Sequence, residues 1–134
     1  MRMGDIEDAI GRVALFEKLS DRDRRRLAAS MHERTFPAGT VITQVGQEGL
    51  AFFIIDKGTA SVVQKGNKVA TLGAGDHFGE IALIDEGPRT AEITADTDVK
   101  CYGLSAWDFR PFVQSRPDVA WALLQTLVKR WRDT

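Results

Sequence analysis

The sequence has a single cysteine and no long hydrophobic run. Because Cys101 is alone, an internal disulfide and a cysteine zinc cluster are excluded. It lies in an apolar stretch, where we expect a buried and inert thiol. The longest apolar runs, such as Leu50–Ile55, are far too short to span a bilayer. Asp5, Glu7 and Asp8 stand where a secretory signal has basic and then apolar residues, so we expect a cytoplasmic protein without membrane contact.

No charge of one sign dominates. The chain has 18 lysines and arginines against 19 aspartates and glutamates, a formal net charge of −1. This balance gives no global electrostatic case for binding nucleic acid or a membrane surface. Arg22, Arg24, Arg25 and Arg26 form a basic cluster, but acidic residues such as Asp21 surround them. The mixture favours a solvated helix face over a binding patch.

Histidine is scarce as well, and no catalytic set can be assembled. His32 and His77 are far apart in the sequence, whereas a jelly-roll metalloenzyme needs clustered histidines. His77 has no evident serine or cysteine partner, so no nucleophile, base and orienting group come together. We expect His77 on an exposed loop and His32 on an exposed helix face. The sequence therefore predicts no enzyme, no catalytic residue and no metal.

The N-terminal region has helical patterning. Residues near Asp5–Phe16 predict a short helix. Ser20 is the expected N-cap of a second helix, and Asp23, three residues later, favours the helix start. One face of that helix carries the apolar residues Leu27, Ala28 and Met31.

Between Thr40 and Ser105, short apolar segments alternate with turn residues. Their close and even spacing is typical of an antiparallel sandwich or barrel. Phe52–Ile55 is continuously apolar, which predicts a central strand. The expected strand segments are Val41–Thr43, Ala51–Ile55, Thr59–Gln64, Lys68–Leu72, Thr90–Thr94 and Val99–Leu104.

The helical signal returns after the strands. Ser105 with Asp108 predicts a cap, and Pro117 stands where a first-turn proline is favoured. Apolar residues then follow helical spacing at Ala120, Leu123, Leu124, Leu127, Val128 and Trp131. We expect a single domain over residues 1–134, with helices over about 5–33, strands over about 36–105 and helices over about 106–133.

One segment, Phe78–Ala91, is longer than the hairpin that would join its two flanking strands. Gly79 before a short helix lets backbone amides converge on an anion. Arg89 can bring a guanidinium fork to the same anion, and Glu80 can accept hydrogen bonds from a sugar hydroxyl. Together these features suggest a sugar phosphate or nucleotide. Taken singly, each is more typical of a turn or a surface ion pair.

The order Phe-Gly-Glu-Ile-Ala-Leu-Ile, a spacer and Pro-Arg-Thr-Ala resembles the phosphate-binding cassette of the cyclic-nucleotide-binding family. That family includes the catabolite activator protein, regulatory subunits of cyclic-AMP-dependent kinase and cyclic-nucleotide-gated channels. The likeness extends to residues 36–42, which resemble the family's first strand. The resemblance implies a mainly β fold, a β-roll of jelly-roll type with helices at both ends.

The resemblance also implies a role for each cassette residue. Gly79 allows close backbone approach, and Glu80 binds the ribose 2′-hydroxyl. The amides of the next residues face the cyclic phosphate, Arg89 neutralises it, and Thr90 adds a hydroxyl contact. The implied ligand-binding residues are Phe78, Gly79, Glu80, Ile81, Ala82, Leu83, Arg89, Thr90 and Ala91.

Three positions bear on how the pocket works. Glu92 departs from the family, which more often has a small or β-branched polar residue there, and it would repel the phosphate if it pointed into the pocket. In the family an apolar group of the last helix often caps the base, and Trp121 and Leu124 are the candidates. The alternative is that Trp121 and Trp131 simply pack this helix onto the roll.

The sequence thus predicts a regulatory module that binds cyclic AMP and switches its C-terminal helix. Cyclic GMP is the alternative ligand, because a threonine after the arginine, here Thr90, resembles some cyclic-GMP-binding members of the family. The alternatives are an interaction scaffold with a degenerate pocket, or the regulatory fragment of a longer enzyme, channel or transcription factor. The expected partners are a cyclic mononucleotide and a protein effector, with no cofactor. We expect a monomer or weak dimer, and no direct DNA binding because no helix-turn-helix domain follows.

Overall fold

Helices flank a β-structure at both ends. The computed structural model describes residues 3–43, 51–80, 84 and 91–132. Its helices are α1 (Met3–Gly11), a 3-10 turn (Ala14–Phe16), α2 (Asp21–Ala29), α3 (Ala106–Gln114) and α4 (Pro117–Arg132). Its strands are β1 (His32–Phe36), β2 (Val41–Thr43), β3 (Ala51–Lys57), β4 (Ala60–Gln64), β5 (Asn67–Leu72), β6 (His77–Phe78), β7 (Glu92–Ala95) and β8 (Val99–Ser105).

The strands described form two four-stranded sheets. One sheet has the order β1-β8-β3-β6 and the other the order β2-β7-β4-β5. The strand pairs are antiparallel, and β3 and β8 make the longest ladder, from Ala51 opposite Ser105 to Lys57 opposite Lys100. Two stacked antiparallel sheets with flanking helices confirm the fold class predicted from the sequence.

β3 is buried on both faces, which explains its continuous apolar run. Phe52 and Ile54 point into a core formed with α1, α2, α3 and α4. Phe53 and Ile55 point into a second core between the two sheets. Alternate side chains of a strand face opposite sides, so a strand between two cores needs apolar residues at every position. β3 lies between β8 and β6, which confirms that it is central.

A glycine of β8 makes room for the inter-sheet core. Gly103 lies directly opposite Phe53 in the ladder. A Cβ built on Gly103 would lie 2.8 Å from an edge carbon of the Phe53 ring. The ring therefore occupies the space that a side chain at Gly103 would fill.

The predicted helix signals are largely confirmed. The Ser20 hydroxyl accepts a hydrogen bond from the backbone N–H of Asp23 at 3.1 Å and caps α2. Pro117 is the first residue of α4. Ser105 is the N-cap of α3, but its hydroxyl donates to the Asp108 carboxylate at 3.2 Å and makes no bond to a backbone N–H of the helix.

The boundary between the N-terminal helices and the strands differs from the prediction. Helical structure was expected to about residue 33, but β1 begins at His32, which is exposed on a strand and not on a helix. The side chains from His32 to Thr35 are exposed, so β1 has no apolar alternation to mark it. Five paired residues along β8 hold this strand. Backbone pairing therefore outweighs the weak side-chain pattern.

None of the helices in residues 3–43, 51–80 and 91–132 is long and apolar enough to cross a membrane. The same part of the chain has no cluster of three histidine, cysteine, aspartate or glutamate residues that could hold a metal ion.

Candidate functional site

β6 leads directly into the segment singled out from the sequence. Phe78 is buried, pairs with Phe53 of β3, and stacks on its ring with centroids 5.1 Å apart. Gly79 follows with a φ of +98°, in the left-handed region that favours glycine. The chain therefore turns sharply out of the sheet after Phe78, and this turn sets the position of Glu80.

The carboxylate of Glu80 is buried and contacts two side chains that carry N–H groups, Arg130 and His77. Glu80 is 1% exposed. Its Oε1 accepts a hydrogen bond from Nη1 of Arg130 at 2.5 Å, and Nδ1 of His77 lies 3.2 Å from the same oxygen. A buried carboxylate without such partners is strongly disfavoured. Arg130 and His77 therefore stabilise the charged form of Glu80.

The pKa of Glu80 shows the balance of these effects. Burial acts to raise the pKa of this carboxyl, but the contact with His77 and the charges of His77 and Arg130 outweigh it. The pKa of Glu80 consequently lies below its ordinary value. The group stays ionised at neutral pH and keeps its full capacity as a hydrogen-bond acceptor.

His77 is buried, and the prediction of an exposed loop residue is wrong. It is 6% exposed, and its ring lies against Phe52 with centroids 5.4 Å apart. Its Nδ1 lacks a well-aligned hydrogen bond, but an anion 3.2 Å away requires the proton to be on that nitrogen. A strand of two residues is too short to have a recognisable sequence pattern, and β6 has only two.

Arg130 was not identified from the sequence, although a signal for it exists. It follows Leu123 and Leu127 at spacings of seven and three residues, so it continues the face of α4 that packs on the core. A charged residue in phase with a buried helix face needs a buried partner. Glu80 is that partner, 50 residues away in the sequence.

The remaining predicted cassette residues are only partly described. Ile81, Ala82, Leu83, Arg89 and Thr90 lie outside the described residues. The predicted phosphate contacts therefore stay predictions. Ala91 is described and half-buried, and its carbonyl accepts a hydrogen bond from the hydroxyl of the buried Thr43 at 3.4 Å.

Comparison with known proteins identifies the family. Residues 33–116 match the family model described as the cyclic nucleotide-binding domain. The chain belongs to this family. The match includes strands β2 to β8 and Glu80, so the resemblance recognised in the sequence is confirmed.

Three relatives show how this domain is used elsewhere. A cyclic nucleotide-gated potassium channel of Rhizobium etli is 36% identical over 121 residues, 90% of this chain and 34% of the channel. The regulatory domain of Toxoplasma gondii protein kinase A, solved with cAMP, has a TM-score of 0.87 at 25% identity, covering 96% of this chain and 50% of that one. The regulatory subunit of a cAMP-independent protein kinase A from Trypanosoma brucei has a TM-score of 0.84 at 25% identity, covering 93% and 47%.

The cyclic nucleotide-binding domain accounts for only part of these relatives. The chain spans about a third of the channel and about half of each kinase structure. Channel and kinase regulatory subunit share the domain but not the rest of the protein. The family therefore shows a regulatory binding module and leaves its output open.

The Glu92 side chain does not face the interior of the domain. Along β7, Ile93 and Ala95 are buried in the core between the sheets, while Glu92 and Thr94 are half-buried. Strand alternation places Glu92 on the opposite face from Ile93. The cassette residues that would hold the phosphate lie outside the described residues, so the repulsion expected if Glu92 pointed into the pocket stays a prediction.

The two predicted base-capping residues lie on the outer face of α4. Trp121 is 63% exposed and Leu124 is 54% exposed, whereas Val119 and Leu123 of the same helix are buried. A base-capping role for Trp121 or Leu124 stays a prediction. The alternative that Trp121 and Trp131 pack α4 onto the roll is wrong, because both side chains are mostly exposed.

Proposed function

We propose that this domain binds cyclic AMP and that binding changes how α4 docks on the roll. The domain then acts as a cytoplasmic regulatory module without catalytic activity. It passes the change in α4 to a protein effector, in the same chain or in a separate one. The observation that carries the proposal is the ion pair between Glu80 of the cassette and Arg130 of α4.

The position of Glu80 supports a competition between ligand and helix. Family resemblance assigns the ribose 2′-hydroxyl to Glu80, yet this residue is 1% exposed. A ribose cannot reach a covered carboxylate unless a covering group moves. Arg130 is a covering group supplied by α4, so ribose binding and the docked position of α4 depend on the same carboxylate.

The two halves of α4 differ in how they are held. Val119 and Leu123 are buried in the helix core and anchor the N-terminal half. The C-terminal half packs through the partly buried Leu127 and through the Arg130 contact with Glu80. A ligand that binds Glu80 better when Arg130 has left shifts the helix equilibrium by that difference in affinity.

A calorimetric titration with cyclic AMP and cyclic GMP, side by side, tests the proposal. Substitution Arg89→Ala removes the implied phosphate partner and is expected to abolish most binding. Substitution Arg130→Ala removes the competitor for Glu80 and is expected to raise affinity about 5- to 150-fold, the range of typical coupling between sites. Lys129→Ala is the matched control, since Lys129 is the exposed neighbour of Arg130 on α4.

Two results would contradict the proposal. Unchanged affinity in Arg89→Ala would remove the cassette mechanism. Equal affinity in Arg130→Ala and Lys129→Ala would remove the coupling to α4 but leave nucleotide binding in place. Tighter binding of cyclic GMP would make cyclic GMP the ligand in place of cyclic AMP and would leave the mechanism unchanged.

A ligand-independent scaffold with a degenerate pocket is the second candidate. Its support is the cAMP-independent kinase subunit of Trypanosoma brucei, which has a similar fold at a TM-score of 0.84. Heating the protein with either nucleotide at millimolar concentration separates the two candidates. A ligand at 100 times its dissociation constant adds about 2.7 kcal/mol of stability. No shift in melting temperature with either nucleotide would favour the scaffold.

A further inference from the structure

α2 presents a set of exposed arginines on its outward side. Arg22, Arg25 and Arg26 are all exposed, and their spacing places them within an arc of about 100° around the helix axis. Leu27 and Ala28 are buried on the opposite side of the same helix. The outward side of α2, which we call the arginine face, therefore carries the guanidinium groups of Arg22, Arg25 and Arg26.

The fourth arginine of α2 has a different role. Arg24 is half-buried, and its Nη1 lies 3.6 Å from the position of a Cβ built on Gly11 of α1. The same nitrogen lies 3.9 Å from the Asp21 carboxylate. Arg24 thus packs against α1, and it is distinct from the three side chains of the arginine face.

The acidic neighbours that the sequence offers for neutralising the cluster are engaged elsewhere. Asp23 accepts a hydrogen bond from Nη2 of Arg116 at 2.7 Å, and Oε1 of Glu33 lies 3.2 Å from Nζ of Lys100. Within the part of the chain that the structure describes, the arginine face forms no hydrogen bond or ion pair. The mixed charge that favoured a purely solvated face is therefore absent from this side of α2.

This clustering lowers the stability of α2 itself. Arg22 precedes Arg25 by three residues and Arg26 by four, and like charges at these spacings repel each other on a helix. Arg22 also lies in the first turn, where the helix dipole favours acidic side chains. Because the arginine face weakens the helix and gains no partner among the described residues, it indicates a partner outside the domain.

We propose that the arginine face binds an acidic helix of a partner protein. A guanidinium can hold a carboxylate through two parallel hydrogen bonds, which a lysine cannot do, and all four basic residues of α2 are arginines. From Arg22 to Arg26 the face extends about 6 Å along the helix axis. Carboxylates four residues apart on a second helix have the same separation, so neighbouring ion pairs can form side by side.

The size of the face favours a protein over DNA or a membrane. Duplex DNA carries one charge per about 1.7 Å along its whole length, and a face of about 6 Å meets only a few of its phosphates. Basic segments that bind anionic membranes have about four to eight clustered cations, more than this face carries. Asp21 precedes the face directly and its side chain is 83% exposed, so it repels an extended polyanion.

An NMR titration of the isotope-labelled chain with a synthetic helical peptide tests the proposal. The probe is a peptide of about 18 residues, made of alanine and glutamine with glutamates at intervals of three and four residues. The control peptide has glutamine in place of every glutamate. The arginine face has no part in the Glu80–Arg130 contact, so the titration needs no nucleotide.

The expected result is weak and salt-dependent binding of the glutamate peptide. At about 20 mM salt the Nε–H signals of Arg22, Arg25 and Arg26 should shift with a dissociation constant of about 0.1–1 mM, because exposed ion pairs are individually weak. Binding should weaken at about 300 mM salt, and the glutamine peptide should not bind. No shift of these signals with the glutamate peptide would overturn the proposal.

Two triple variants of equal charge separate the arginine face from the net charge of the chain. The first replaces the face itself, with Arg22→Gln, Arg25→Gln and Arg26→Gln. The second replaces three exposed cations of the roll, with Lys57→Gln, Lys65→Gln and Lys68→Gln. The first is expected to weaken binding at least about tenfold and the second less than about twofold. The first should also melt no lower than the unmodified chain, since it removes repulsion within α2. Equal weakening in both variants would overturn the proposal.

The same chains are also titrated with a short DNA duplex and with vesicles that contain phosphatidylserine. Both are expected to bind more weakly than the glutamate peptide. Tighter binding of DNA or vesicles that the first variant loses would overturn the assignment to a protein partner. Self-association of the chain alone, abolished by the first variant, would make a second copy the occupant and would overturn it as well.

Discussion

Removing Arg130 should destabilise the fold because it takes a cationic partner away from the buried Glu80 carboxylate. Glu80 is 1% exposed, so Arg130→Ala leaves a largely desolvated carboxylate that keeps His77, 3.2 Å away, as a partner. The Arg130 side chain is 43% exposed, and solvent screens part of the attraction. We therefore expect a loss of about 1–3 kcal/mol in the free energy of unfolding, below that of a fully buried pair.

A double-mutant cycle isolates the contact from other effects of the substitution. In a Glu80→Gln background the charge is already gone, and Arg130→Ala is expected to cost about 0.5 kcal/mol or less. The coupling energy between the two positions is then about 0.5 kcal/mol or more. Urea unfolding followed by circular dichroism at neutral pH measures all four chains, with Lys129→Ala as the control.

The pH dependence gives a second measure of the same contact. Because the pKa of Glu80 is lowered in the folded chain, its stabilising contribution is present above the ordinary carboxyl pKa, about 4.3. It is lost as the pH falls through the lower, folded value. The stabilities of the unmodified chain and of Arg130→Ala should therefore converge in acid. Equal costs of Arg130→Ala in both backgrounds, or a difference independent of pH, would refute the reasoning.

Three further predictions concern the core and a turn. Burial raises the pKa of the Cys101 thiol to about 12, so this thiol should not react with a disulfide reagent until the chain unfolds, and rapid native labelling would contradict this. Gly58→Ala should lower the unfolding free energy by about 2 kcal/mol, because φ is +94° and the new Cβ would lie 2.2 Å from the Asp98 carbonyl; an unchanged melting temperature would speak against it. Phe52→Ala should cost about 3–5 kcal/mol in urea unfolding, and a cost below about 1 kcal/mol would show that the site refills.

The elements that could be predicted from the sequence are those with a local physical signal. Ser20 marks the start of α2 through its own hydroxyl, and Pro117 marks α4 because proline fits a first turn. β3 is recognised by its apolar run, since both of its faces are buried. Each signal depends on residues within a few positions of the element that it marks.

What could not be predicted depends on distant parts of the chain. β1 is polar and exists because it pairs with β8, from His32 opposite Gly103 to Phe36 opposite Val99. His77 becomes buried because β3 pairs with its two-residue strand. Within the site, Glu80 could be chosen from the cassette spacing, but its partner Arg130 meets it only through the docking of α4.

The absence of a side chain at Gly103 makes room for the large ring of Phe53. These two positions are 50 residues apart in the sequence and face each other across one ladder. The pair has a fixed joint volume, so a larger residue in β8 is acceptable only with a smaller one in β3. In evolution these two sites should change together or not at all. Related sequences with an alanine at position 103 should lack an aromatic ring at position 53. The residues found at these two positions then show how closely the two strands must approach.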